Sequence, residues 1–205
     1  MYASGSTSTR FTLTAAHCAE YTDDKPFTNG AGQPMGVSDF IHELYGPNAV
    51  YDLGVVRLSP GKTNAPSIFV YEDSGSGSIP VKGYAAGGIP ANGGYCVHGL
   101  SPYGVHCNLL SGGQVRECMA GHCFYSISMN SFQPAGALIW CEGDSGGPIY
   151  YYTSGGVIAA GVVSWLYHDV PLNDGRWCGT AGGASVVSTA VNLIPGLRVV
   201  TTSTP

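Results

Sequence analysis

Glycine and proline punctuate this chain so densely that they set its architecture before any other residue is considered: 31 Gly and 13 Pro fall among 205 residues. Glycine weakens a helix interior and proline breaks it, whereas short strands joined by tight turns need such residues at every reversal. Between the punctuation, β-branched and aromatic runs fit strands at Phe11 to Ala15, Leu53 to Leu58, Val81 to Tyr84, Gly104 to Leu110, Cys123 to Met129, Pro148 to Thr153 and Val157 to Trp165. Only Ser185 to Ile194 has the makings of a helix, stopped by Pro195-Gly196 before a last apolar run, Leu197 to Val200. The expectation is an all-β protein with a short C-terminal helix.

Charge narrows the partners. Charged residues make up 10% of the chain, the net charge is -5, and no run of Lys or Arg offers a footprint for nucleic acid or an anionic membrane. The longest apolar stretch, Val157 to Val163, is far too short for a membrane helix. With 44% hydrophobic residues the chain can bury a core, which excludes disorder. The polar, turn-rich stretch Tyr71 to Ser78 reads as a linker between an N-terminal subdomain, residues 1–75, and a C-terminal one, residues 79–205.

Seven cysteines, in Gly-rich segments of a chain poor in Lys and Glu, favour an oxidising, extracellular compartment. Cys96, Cys107, Cys118, Cys123, Cys141 and Cys178 cluster in the second half, and Cys18 stands alone, so Cys18 is the odd thiol. Met1 runs straight into Tyr2-Ala3-Ser4-Gly5-Ser6 without a signal peptide. The expectation is a fragment of a secreted chain, with the partner of Cys18, and any pro-region, on upstream residues.

The most informative segment is Gly143-Asp144-Ser145-Gly146-Gly147-Pro148, in which flanking glycines let the backbone bend sharply and expose Ser145 as a nucleophile. A serine hydroxyl needs a base to take its proton, and that base needs a carboxylate to orient it. His17 follows an apolar strand within Thr14-Ala15-Ala16-His17-Cys18, and Asp52 stands at the mouth of the strand Leu53 to Leu58. The elbow triad of α/β-hydrolases, in the order serine, acid, histidine, is excluded, because His168 is the single histidine after Ser145 and no Asp or Glu lies between them. His106, Cys107, Cys118, His122 and Cys123 invite a zinc reading, but neighbouring His-Cys pairs seldom point at one metal. No cofactor or metal is expected.

His17, Asp52 and Ser145, in that order and in these local contexts, resemble the chymotrypsin-like serine peptidases, and the second half is most similar to the bacterial secreted branch of alpha-lytic protease and the streptogrisins. The resemblance implies two six-stranded antiparallel β-barrels flanking a cleft, the first N-terminally incomplete here. It implies disulfides Cys96–Cys107 and Cys141–Cys178, leaving Cys118 and Cys123 to close a small loop of their own. It also implies an oxyanion hole from the amides of Gly143 and Ser145, and a buried Asp144 whose usual Arg partner is replaced by Val97 and His98.

For the substrate, the resemblance makes Ser164-Trp165-Leu166 the segment that pairs with a polypeptide backbone, with Ser164 also donating to Asp52. It puts Ile139 at the base of the pocket for the residue before the scissile bond, beside Trp140, with Glu142 at its rim. No acid lies at the base, and Leu166 narrows the wall, so small or medium apolar side chains are expected. The implied activity is that of a monomeric, secreted serine endopeptidase; an esterase with the same triad and a catalytically silent binding module are the alternatives.

Overall fold

The computed structural model describes residues 2–3, 9–28, 32–41, 44, 51–62, 67–72, 75–90, 94–99, 105–119, 121–131 and 137–202. Its strands are β1 (Tyr2–Ala3), β2 (Phe11–Thr14), β3 (Pro26–Thr28), β4 (Pro34–Asp39), β5 (Gly54–Leu58), β6 (Ser67–Glu72), β7 (Gly75–Tyr84), β8 (Tyr95–His98), β9 (Val105–Met119), β10 (His122–Ser131), β11 (Trp140–Cys141), β12 (Pro148–Thr153), β13 (Gly156–Leu166), β14 (Val170–Pro171), β15 (Trp177–Gly179), β16 (Ala181–Val186) and β17 (Leu197–Arg198). Helix α1 spans Val187–Leu193. None of the described helices is long and apolar enough to cross a membrane.

The C-terminal half closes on itself. Strands β12, β8, β9, β10, β16 and β13 pair in that order, and β13 returns to pair with β12, giving a closed six-stranded antiparallel barrel. Closure removes the free edges that an open sheet would expose. Its interior is filled by Tyr95, Val97, Leu109, Met129, Ile149, Val163 and their neighbours. Among the described residues, the N-terminal half forms a four-stranded antiparallel sheet in the order β2-β5-β4-β3. On β5, Val55, Val56 and Leu58 are buried while Arg57 faces out to Asp39 at 2.8 Å.

Helix α1 joins the two halves. Its Val187 and Ala190, with Ile194 beyond its end, pack against Phe11, Leu53 and Val55 of the N-terminal half and Val162 of the barrel. The helix begins two residues later than the periodicity suggests, because Ser185 and Val186 are still paired with β13.

The stretch expected as a flexible linker differs most from expectation. Tyr71 pairs with Ser76 and Glu72 with Gly75, so it is the end of a hairpin between β6 and β7. Strand β7 then runs parallel to β13, at Val157↔Val81, so this hairpin is tied to the barrel wall. Ladder hydrogen bonds, available to any backbone, outweighed the local flexibility of a Ser/Gly sequence. Likewise the strand expected at Gly104 to Leu110 continues as β9 to Met119, forming a long hairpin with β10.

Candidate active site

Asp52 is fully buried, and three donors converge on its carboxylate. The His17 backbone N–H reaches Oδ1 at 2.9 Å, the His17 ring donates from Nδ1 to Oδ2 at 2.8 Å, and Ser164 Oγ donates to Oδ2 at 2.6 Å. Ser185 Oγ adds a bond to the Asp52 carbonyl at 2.8 Å. His17 sits in a single 3-10 turn, Ala16–Ala19, directly after β2, where Ala15, Ala16 and Ala19 are fully buried and leave room for the ring. Ser164 reaches Asp52 because β13 slips register there: Val163 pairs with Ala184 and Trp165 with Gly183, so Ser164 is the extra residue of a bulge, and a bulge re-aims its side chain.

Burial works against a charge on His17, but the hydrogen bond it donates to Asp52, reinforced by the neighbouring Cys18, outweighs it and raises the His17 pKa to about 10. The site therefore stabilises an imidazolium, the species that forms when the ring accepts a proton. Cys18 is the free cysteine among the described residues, is exposed, and points its thiol to the Ser145 carbonyl at 3.8 Å.

Two successive tight turns, closed by Asp144 N–H to Cys141 O at 3.0 Å and Gly147 N–H to Asp144 O at 2.9 Å, form the serine loop, with Ser145 in the second. The third residue of each turn is a glycine with positive φ, Gly143 at 95° and Gly146 at 80°, the signature of type II turns. The second turn is sewn to the barrel by Gly146 N–H to Val163 O at 2.8 Å and Val163 N–H to Gly147 O at 2.9 Å. Gly146 also abuts β2: a Cβ there would stand 3.0 Å from Thr14 Oγ1 and 3.4 Å from Ala15 N. The serine loop is thus pressed against the residues that lead into His17.

The family whose model matches this sequence, described as Trypsin, covers residues 3–174. The chain belongs to the trypsin family. No curated protein matches it, but solved structures share the fold of this trypsin-family domain. Thermobifida fusca protease A superposes with a TM-score of 0.61 at 21% identity, over 93% of this chain and 84% of that one. A glutamic acid specific serine protease that utilizes a histidine triad in substrate binding gives 0.62 at 19% identity, over 91% of this chain and 85% of that one.

In this trypsin-family domain Asp144 is buried, with Cys141 N–H donating to its Oδ2 at 2.8 Å and Gly99 packed so tightly on the carboxyl that a Cβ would overlap it. Burial lowers the His106 pKa and the Asp144 charge works against that fall, whereas Val97, where the family resemblance expects an arginine, is buried in the barrel core. The three expected disulfides, Cys96–Cys107, Cys118–Cys123 and Cys141–Cys178, are all formed. Their formation removes Cys107, Cys118 and Cys123 from any zinc site.

Ile139 and Trp140 are buried, and the Trp140 indole donates to the Trp165 carbonyl at 2.9 Å. A Cβ on Gly182 would lie 2.6 Å from Trp140 Cζ2, so the indole fills the space over that strand. Trp165 turns its own indole to Ser126 Oγ at 2.7 Å, and Leu166 packs on the barrel core. The Glu142 carboxylate is less free than a rim position suggests: Oε2 accepts from Trp177 N–H at 3.0 Å and Oε1 lies 3.3 Å from His168 Nε2.

Sequence reading missed two sets of residues around the site. One is the β9–β10 hairpin tip, where the His122 ring stacks on Tyr21 with centroids 3.9 Å apart, four residues past His17, and Tyr125 bridges Tyr51, the neighbour of Asp52. The other is Arg176-Trp177, which contacts Glu142 through both backbone and side chain. Both are contacts across large sequence separations with no local signature.

Proposed function

We propose that this protein is a secreted serine endopeptidase of the alpha-lytic protease and streptogrisin branch, in which Ser145 attacks a peptide carbonyl. His17 takes the Ser145 proton and returns it to the leaving amine, Asp52 holds the ring and offsets its charge, and water hydrolyses the acyl-enzyme. The amides of Gly143 and Ser145 stabilise the oxyanion, a contribution worth on the order of 10²-fold or more per donor. Supporting this reading is one constellation: a buried carboxylate bonded to the His17 ring, with the Ser145 loop packed on the strand end that leads into His17.

The substrate is a polypeptide, bound along Ser164-Trp165-Leu166 as an added strand. The Trp140 indole packed over Gly182 supports a pocket, with Ile139 at its base and Leu166 on its wall, that takes a small or medium apolar residue before the scissile bond. The three disulfides suit an extracellular setting. The boundary between residues 1–75 and 79–205 separates the parts that carry His17 and Asp52 from the part that carries Ser145.

A fluorophosphonate probe with peptide mapping tests the triad: an adduct on Ser145 that is lost in His17→Ala supports it, and a folded chain without adduct makes the cleft a binding module. Matched amide and ester substrates separate peptidase from esterase. A panel varying the residue before the scissile bond should favour Ala over Phe and Arg; a preference for Arg overturns the pocket assignment.

A further inference from the structure

Glu142 and Gly143 share one peptide group, and that group is the middle of the first turn of the serine loop. The two common turn types, I and II, differ by a half-rotation of this middle peptide, and the positive φ of Gly143 marks the type II state. Because a peptide is planar with C=O and N–H on opposite sides, fixing the Glu142 carbonyl fixes the direction of the Gly143 N–H. In the alternative turn the Glu142 carbonyl would take the side now held by the N–H, replacing an anion donor with an acceptor.

The structure holds this peptide from outside the loop. Arg176 Nη1 donates to the Glu142 carbonyl at 3.4 Å, and a Cβ on Gly143 would lie 3.7 Å from the same nitrogen. Trp177 binds the rest of the residue, accepting from Glu142 N–H at 2.8 Å and donating to the carboxylate at 3.0 Å. The guanidinium is aimed by Asp174, which accepts from Nε at 2.8 Å and pairs with Nη2 at 2.8 Å. The Cys141–Cys178 disulfide ties together the residues next to Glu142 and Trp177.

We propose that Arg176 is a positioning residue that keeps the Glu142–Gly143 peptide turned so that Gly143 N–H faces the oxyanion. The proposal rests on the peptidase reading above. Arg176 contacts the carbonyl of Glu142 and no reacting atom, so its effect belongs to the charged transition state rather than to substrate binding.

The test compares wild type, Arg176→Ala, Arg176→Lys and Asp174→Asn, each verified as folded by near-ultraviolet circular dichroism. Two readouts are taken: kcat and KM on a peptide amide, and affinity for a peptidyl trifluoromethyl ketone beside an unreactive peptide of the same sequence. Arg176→Ala should lower kcat by about 10- to 100-fold with KM nearly unchanged, and weaken the ketone, which forms an oxyanion, but not the unreactive peptide. Arg176→Lys should recover part of the loss and Asp174→Asn should lose less. Wild-type kcat and ketone affinity in Arg176→Ala overturn the proposal, as do equal losses for ketone and unreactive peptide, which would make Arg176 a substrate contact. Should Arg176→Ala not fold, the same comparison in Asp174→Asn decides. A wild type that hydrolyses neither amide nor ester overturns the peptidase reading and the clamp together, whereas an active wild type with unaffected variants overturns the clamp alone.

Discussion

His17 carries two opposing consequences of one interaction. Its pKa, raised to about 10 against an ordinary 6.5, means that the folded state holds the proton more tightly than the unfolded chain. The stabilisation is complete below about pH 6.5 and is lost as pH rises to about 10. In the proposed mechanism only the neutral ring accepts the Ser145 proton, so kcat/KM should climb over the same window in which thermal stability falls. Melting curves and rates measured from pH 6 to 10 check both slopes, and His17→Gln should flatten the stability slope. Cys18 reinforces the raised pKa, so Cys18→Ala should move the rate limb to lower pH. Ser164→Ala removes a 2.6 Å donor from a buried carboxylate and should cost about 1–3 kcal/mol in urea unfolding, together with activity. Histidine, acid and serine were legible in the sequence because each sits in a short stretch whose small residues and glycines have a local reason. Arg176 was not legible, since nothing near it in sequence announces a partner 34 residues away.

Elements show where local signals ran out. Short strands flanked by glycine, such as β12, carry their ends in the sequence, whereas β9 runs on past the expected end at Leu110 through Ser111-Gly112-Gly113, residues of turn-forming composition. Pairing with β10 carries it through, and a Cβ on Gly112 would displace the Ser128 hydroxyl on the facing strand. The Cys118–Cys123 disulfide closes the end of this hairpin, five residues apart. Removing it as Cys118→Ser/Cys123→Ser should lower stability by about 2 kcal/mol from loop-closure entropy, measured by urea titration. His122→Ala, which leaves the staple intact but removes the stack on Tyr21, should cost about 0.5–1.5 kcal/mol. A cost in the triple variant well below the sum of the two separate costs would show that the staple acts by presenting His122.

At the scale of the whole molecule, the two halves meet through an apolar cluster and a polar one. Leu53 is fully buried in the first, against α1 residues and Val162, and Leu53→Ala should cost about 2–5 kcal/mol. Asp52 anchors the second, taking bonds from Ser164 and Ser185 across 112 and 133 residues of sequence. Asp52→Ala keeps the carbonyl that Ser185 binds but leaves the His17 N–H groups and the Ser164 hydroxyl without their acceptor, and should destabilise the fold by about 3–5 kcal/mol, while Ser145→Ala, on a half-exposed loop, should change the unfolding midpoint little.

This double duty of Asp52 makes the routes to silence unequal. On the proposed mechanism, deleting the nucleophile leaves a sound vessel that still grips a polypeptide, whereas deleting the acid unpins the seam. A descendant of this chain that gave up cutting and survived as a decoy would keep Asp52 long after losing Ser145, and a laboratory trap for its substrates is best made the same way.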